Sequence, residues 1–349
     1  TNVLAVAVGS SATAGEDGTV ALGGDSTASA LNSVALGREA TSSSVDAIAI
    51  GRSSSASSGN GISIGGFTRT TNIGAIAIGN RAVGGGASAV AIGLDSSASA
   101  RGSIAIGELA ATDQNLAIAI GGDGFDTDTL GAQATGERSI AFGSDTNASG
   151  TSALAFGSDA NVSGAGSVGV GPGTIVSGNN AIAFGPGAST IANSSVAIGE
   201  RASVTAQGAI ALGAESVADQ ANTLSIGRFG NERRIVNVAA GTDTTDAVNV
   251  GQLNSAIGAR ISAIPDDDYI AANSTGAQPL ATGNDAIAIG EAAQASGANS
   301  IAIGINDSNF ATTGANATAD SSVAIGVNAS ALEFSAMAFG RSSEATASR

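Results

Sequence analysis

The residues best placed to do chemistry are the carboxylates of one glycine-rich stretch. Gly121–Asp126 reads GGDGFD, and Asp123, Asp126 and Asp128 offer the oxygen ligands that a calcium ion takes. Calcium-binding glycine–aspartate repeats work through successive nonapeptide turns. This stretch occurs once, so an ordinary loop is expected and no metal is assigned. Composition removes most other chemistry. The 349 residues include no histidine and no cysteine. That takes away the commonest general base, thiolate nucleophiles, disulfides and zinc–thiolate sites together. Serine is abundant but stands in no nucleophile context, and there is no G-x-x-x-x-G-K-[ST] loop. Pairs such as Glu16 and Asp17 read as solvated turn residues, and the Asn-x-Ser sequences at Asn147 and Asn161 are ordinary in so serine-rich a chain. The formal charge of −16, from 13 basic and 29 acidic residues, argues against nucleic acid and anionic membranes as partners. No catalysis and no cofactor are expected.

What these residues sit on is a repeat. SVAIG at Ser195–Gly199 recurs as VALG at Val20–Gly23, IAIG at Ile104–Gly107 and LAFG at Leu154–Gly157. Its closing glycines are fourteen apart from Gly9 to Gly121, again from Gly143 to Gly227, and a second series follows at Gly290, Gly304, Gly326 and Gly340. A fixed period of this kind marks a solenoid. In Gly24–Gly37, Val34 and Leu36 point one way from a strand and Ala35 the other. Ser26 and Ala28 form a second, smaller pair, and Asn32, Ser33 and Gly37 supply turns. Each period therefore reads as two short strands and two turns, too short for a helical crossover. Successive coils must stack in parallel. The second side is expected to carry only Ala, Ser and Thr, which flattens the solenoid into a roll. The large residues before each glycine are assigned to the interior. The middle residue is Ala except at Ser63, Gly169 and Ser225. This consistently small face, with Ala35, Ala91, Ala197 and Ala302, is assigned to contact with partner chains, because one thin coil is marginal on its own.

Two steps in the glycine count exceed fourteen by eight residues, which places insertions at 122–129 and 305–312. Insertions in solenoids become loops on one face, so Gly122, Phe125, Asp126, Ile305 and Phe310 are candidate binding-loop residues. After Gly227 the period stops. Val250, Leu253, Ile257, Ile261 and Ile264 form one helical stripe, with an N-cap expected within Asp243–Asp246 and a stop at Pro265. Such a helix needs partners, as in a short parallel coiled coil.

These repeats resemble the head domains of the YadA-like trimeric autotransporter adhesins. IVNVAAG at Ile235–Gly241 and DAVNVGQL at Asp246–Leu253 resemble that family's neck, marked by Asn237, Asp246, Asn249 and Gln252, and YIAANSTG at Tyr269–Gly276 resembles the opening of a further head. The resemblance implies a left-handed parallel β-roll assembled as a homotrimer. It implies a first head at 1–230, a neck at 231–253, a short coiled-coil stalk at 254–268 and a second head at 269–349, truncated. It implies an adhesin displayed on a Gram-negative outer membrane through an anchor outside this chain. Implied partners are host extracellular matrix or cell surfaces, or like molecules on other bacteria in autoagglutination and biofilms. Collagen binding is linked in the family to NSVAIGxxS. Here Ala40 and Asp307 stand where the final Ser would follow NSVALG and NSIAIG. A structural spacer, with binding located elsewhere, is the alternative. An enzyme built on a β-solenoid lacks the residues it needs, and an ice-binding face lacks ranks of Thr.

Overall fold

The computed structural model describes residues 4–124, 130–262, 277–307 and 314–347, with Ile261 and Ser262 described by their backbone alone. Two units are described, split between Arg234 and Ile235.

The first unit is a parallel β-solenoid whose coil length is set by its glycines. Each coil contributes a three-residue strand, such as Val34–Leu36, to one sheet and a two-residue strand, such as Thr41–Ser42, to the other. The two sheets have 16 and 15 strands, all in sequential order. Register follows the fourteen-residue period: Val34, Ala35 and Leu36 lie opposite Ile48, Ala49 and Ile50. The second unit repeats the design in sheets of five and four strands.

The repeating glycine is needed twice over. Gly37 has φ +132°, and a Cβ placed there would lie 2.6 Å from the Gly51 carbonyl oxygen. Both the backbone angle and the stacking of coil on coil therefore exclude a side chain. Two further left-handed positions occur in each coil that lacks an insertion, at seven-residue spacing. Asp25, Asn32, Glu39, Asp46, Ser53 and Asn60 all have φ between 54° and 61°. Short polar side chains tolerate that conformation best, which accounts for much of the Asn, Asp and Ser in the turns. The turns also carry the ladder onward: Gly37 N–H donates to Leu22 O at 2.8 Å, and Glu39 N–H to Gly24 O at 2.9 Å.

The interior reverses the sequence expectation. Ala35, Ala91, Ala197 and Ala302 are 0% exposed within the single chain, so they fill the roll and cannot face a partner. The two sheets lie so close that side chains the size of Ala and Ser fill the space between them. Among the described residues the buried side chains are Ala, Ser and Thr with three valines, Val162, Val176 and Val204. Strand alternation then forces the large residues outward, opposite to their expected direction. The second sheet is also less uniform than expected, since its strands include Arg69, Val83 and Ile175.

The three departures from Ala each have a local cause. A Cβ on Gly169 would come within 2.6 Å of Val162 Cγ2 and 3.3 Å of Val176 Cγ2, so glycine makes room for two valines across the roll. Ser63 Oγ donates to Thr68 Oγ1 at 2.9 Å inside the roll. Ser225 Oγ donates to Gly227 O at 2.8 Å where the roll ends. Other inward hydroxyls bond back to the turn, as Ser26 Oγ does to Gly23 O at 2.8 Å.

The first roll is closed by an arginine. Arg233 Nη1 donates to Ile226 O at 2.7 Å and Ser216 Oγ at 3.0 Å, and Nη2 donates to Ala214 O at 2.6 Å. Its guanidinium also stands 3.2 Å from a Cβ position on Gly213, where the other coils meet the next turn. One side chain thus satisfies acceptors that another coil would otherwise meet.

Candidate interaction surface

The outward side chains of the three-residue strands form two columns along one sheet. They include Ile140, Phe142, Leu154, Phe156, Ile182 and Phe184, and Phe156 is 47% exposed. Phe142 and Phe156 stack with ring centroids 4.9 Å apart and planes within 3°. Parallel pairing sets the spacing of such residues at about 4.8 Å per coil. The result is a continuous apolar stripe on one face of the isolated chain, the kind of surface that marks an interaction site. The opposite sheet begins instead with a column of hydroxyls, Thr13, Thr27, Thr41 and Ser55 in register.

The ladder of the roll continues on either side of both insertions. Ala132 N–H still closes on Gly121 O at 3.2 Å, as Ala110 N–H does on Gly107 O at 3.4 Å without an insertion. Strand pairing resumes with Ala111 opposite Gln133 and with Gln294 opposite Asn316. Of the candidate loop residues, Gly122 is half-buried and Ile305 exposed. Phe125, Asp126 and Phe310 lie outside the described residues, as does Asp128. Both loop bases are tied to later coils. Gly124 N–H donates to Asp145 Oδ1 at 3.1 Å; Asp307 accepts from Asn328 Nδ2 at 2.8 Å and pairs with Arg341. Among the described residues no group of three or more Asp or Glu is placed to hold a metal ion, and no helix is long and apolar enough to cross a membrane.

The neck residues are held in a hydrogen-bonded clasp. The helix, α1, spans Val250–Ser262. Its N-cap is Asn249, not a residue of Asp243–Asp246. Asn249 Oδ1 accepts from Gln252 N–H at 2.9 Å, and Gln252 Oε1 returns to Asn249 N–H at 3.4 Å, the reciprocal pattern of a capping box. Gln252 also grips Gly241 through both its backbone groups, at 2.8 and 2.9 Å, and Asn249 Nδ2 reaches Val238 O at 3.1 Å. Asp246 serves the preceding loop instead. Its Oδ2 accepts from Thr242 N–H at 2.9 Å and Asp243 N–H at 3.1 Å, and these backbone hydrogen bonds hold its carboxyl below the ordinary value. Asn237 stands at a left-handed position, φ 61°. Val250, Leu253 and Ile257 are exposed along α1, so this part of its apolar stripe has no cover among the described residues. Sequence patterning located this stripe, but the clasp needed the capping-box spacing of Asn249 and Gln252, which was there to be read.

This chain is similar to known proteins. The family described as YadA head domain repeat (2 copies) matches residues 1–68, 85–110, 134–229, 281–306 and 313–332 in overlapping units. The coiled stalk of trimeric autotransporter adhesin matches residues 234–276. Over 81 residues, 23% of this chain, the sequence is 46% identical to autotransporter adhesin EhaG of Escherichia coli O157:H7. The match covers 5% of that protein's length. The crystal structure of the collagen-binding domain of Yersinia adhesin YadA is 24% identical, with a TM-score of 0.23, covering 62% of this chain and 84% of that one.

Proposed function

Because this chain belongs to the YadA-like trimeric autotransporter adhesins, we propose that it is part of a homotrimeric head that attaches the cell displaying it to extracellular matrix or host cells, or to like molecules on neighbouring cells. The observation that carries this reading is the apolar stripe that a single roll leaves uncovered. Three copies meeting along that sheet would remove it from water at roughly 25 cal/mol per Å² of apolar surface. Association of three α1 helices would likewise cover their exposed stripe. The hydroxyl-rich sheet would then face outward, and three identical faces would give avidity. Display outside the outer membrane and the absence of catalysis follow from the same reading.

The partner is a matrix or cell-surface molecule, with collagen not singled out. In the segment that resembles the collagen-linked pattern, Ser33, Ala35 and Ala40 are all inside the roll. Those positions therefore describe how a coil packs. The uniformity of the coils favours a second reading, a spacer that carries binding elements elsewhere. Purified protein screened against immobilised matrix proteins and cultured cells separates the two. Saturable binding supports an adhesive head, and binding that falls on deletion of 122–129 or 305–312 places it in the loops. No binding to any surface, by a protein shown to be trimeric, leaves the spacer.

A further inference from the structure

The first head carries a local reversal of charge. Residues 47–94 contain three arginines and no carboxylate, in a chain with 29 acidic and 13 basic residues. The roll brings Arg52 and Arg81 to one turn edge, on the two coils that flank the one carrying Phe67. Phe67 N–H donates to Arg52 O and Arg81 N–H to Gly66 O, both at 2.9 Å, so the three turns stack directly. Arg69 stands on the adjoining sheet between Ser55 and Val83. None of these side chains lies in the apolar columns.

At the centre is Phe67, with φ 60°, the one aromatic residue at a left-handed position among the described residues. A bulky side chain is strained there, and the equivalent positions one coil earlier and later hold Ser53 and Arg81. It is also 47% exposed. The Arg52 guanidinium lies over the Phe67 ring, 4.5 Å from its centroid. Arg81 is neutralised by a bidentate pair with Asp95 on the next coil. Arg52 and Arg69 make no ion pair among the described residues.

We infer that Arg52, Phe67 and Arg69 form a binding site for a sulfated linear polysaccharide. The Arg52 guanidinium on an exposed ring, with exposed Arg69 two residues further along the same coil and neither in an ion pair among the described residues, suits anionic groups spaced along a chain of sugars, whose C–H faces pack on aromatic side chains. The neighbouring Ser55 adds a hydroxyl. Duplex DNA is the poorer fit, because its bases are stacked inside the duplex and offer the exposed Phe67 ring no face to pack on. This inference rests on reading the head as an adhesin.

The test is binding of the full chain to immobilised heparin at ~0.15 M salt, with hyaluronan and duplex DNA as competitors. Heparin should bind, and hyaluronan and DNA should compete poorly. The double variant Arg52→Gln/Arg69→Gln should lose affinity by about tenfold or more, since each charge-assisted contact is worth a large fraction of that factor. Phe67→Ser should weaken binding while relieving strain, so its thermal stability should not fall. Arg138→Gln/Arg201→Gln, equal in charge but remote in sequence, should bind as the parent does. Absence of heparin binding, equal binding by Arg52→Gln/Arg69→Gln, equal loss in the remote pair, or equal competition by DNA would each overturn the site. Matrix or cell attachment is measured in parallel with the same variants. If attachment persists without heparin binding, only the glycan site fails; loss of attachment by the parent itself sinks the adhesin reading.

Discussion

Replacing Gly169 by alanine tests the inverted packing of the roll most directly. Alanine is the residue found at this position in most coils, so the change moves the sequence toward its own consensus. The geometry predicts harm. A Cβ at Gly169 would stand 2.6 Å from Val162 Cγ2, 3.0 Å from Thr174 Oγ1 and 3.3 Å from Val176 Cγ2. Gly169 is not at a positive φ, so the effect is one of space and not of backbone. Overpacking of this kind costs about 1–3 kcal/mol per chain. Val162→Ala removes the nearest obstacle and recreates the Ala-on-Ala packing of other coils. Alone it should destabilise by about 0.5–2 kcal/mol through lost burial. Combined, the two changes should cost less than their sum, with a coupling of about 1–2 kcal/mol. Guanidinium denaturation followed by circular dichroism, at one fixed protein concentration because assembly is linked to folding, measures all four corners of the cycle. If Gly169→Ala is neutral, or Val162→Ala fails to relieve it, the small residues do not fill the roll and the inside–outside assignment is wrong.

Three further outcomes are expected. Phe156→Glu should dissociate the assembly in analytical ultracentrifugation while leaving the β-sheet spectrum intact, whereas Glu200→Lys should do neither; a trimer unaffected by Phe156→Glu would remove the apolar stripe from the interface. Arg233→Ala should strip its three hydrogen bonds from the last coil, so that hydrogen exchange of Ser216–Ile226 accelerates by about tenfold or more while coils near Gly107 stay protected; uniform protection would show that the roll end is closed by something else. Asp246 has its pKa lowered from 3.8 by the Thr242 and Asp243 N–H groups, so its contribution to neck stability is present above 3.8 and lost as pH falls through the lower folded value; Asp246→Asn should flatten the acid limb of the stability–pH curve, and an unchanged limb would refute the role.

The fold was legible because its signal is geometric. The fourteen-residue glycine spacing could only persist if each glycine met an equivalent neighbour, and Gly37 against Gly51 shows why. The direction of the strands was not legible from Val34, Ala35 and Leu36, because alternation fixes which residues share a face and leaves open which face is enclosed. Size favoured placing Val34 and Leu36 inside. What decided otherwise was the separation of the two sheets, and Gly169 opposite Val162 and Val176 was the one sequence clue to it. The helix cap went to Asn249 because Gln252 stands three residues on, a stronger arrangement than the acidic run before it. For the interaction surface, Phe67 and Arg52 are fifteen residues apart and carry no motif. Only the turn geometry, which stacks one coil on the next, brings them into contact.

The seven-residue spacing of left-handed positions means that every coil without an insertion presents its neighbours with nearly the same pair of turns. Whole coils can therefore be gained or lost by recombination between repeats without any interface having to be redesigned. Each event would move whatever the head carries by about 4.8 Å relative to the cell. Reach is in this way a heritable quantity that varies in fixed steps, separate from the residues that decide what is held.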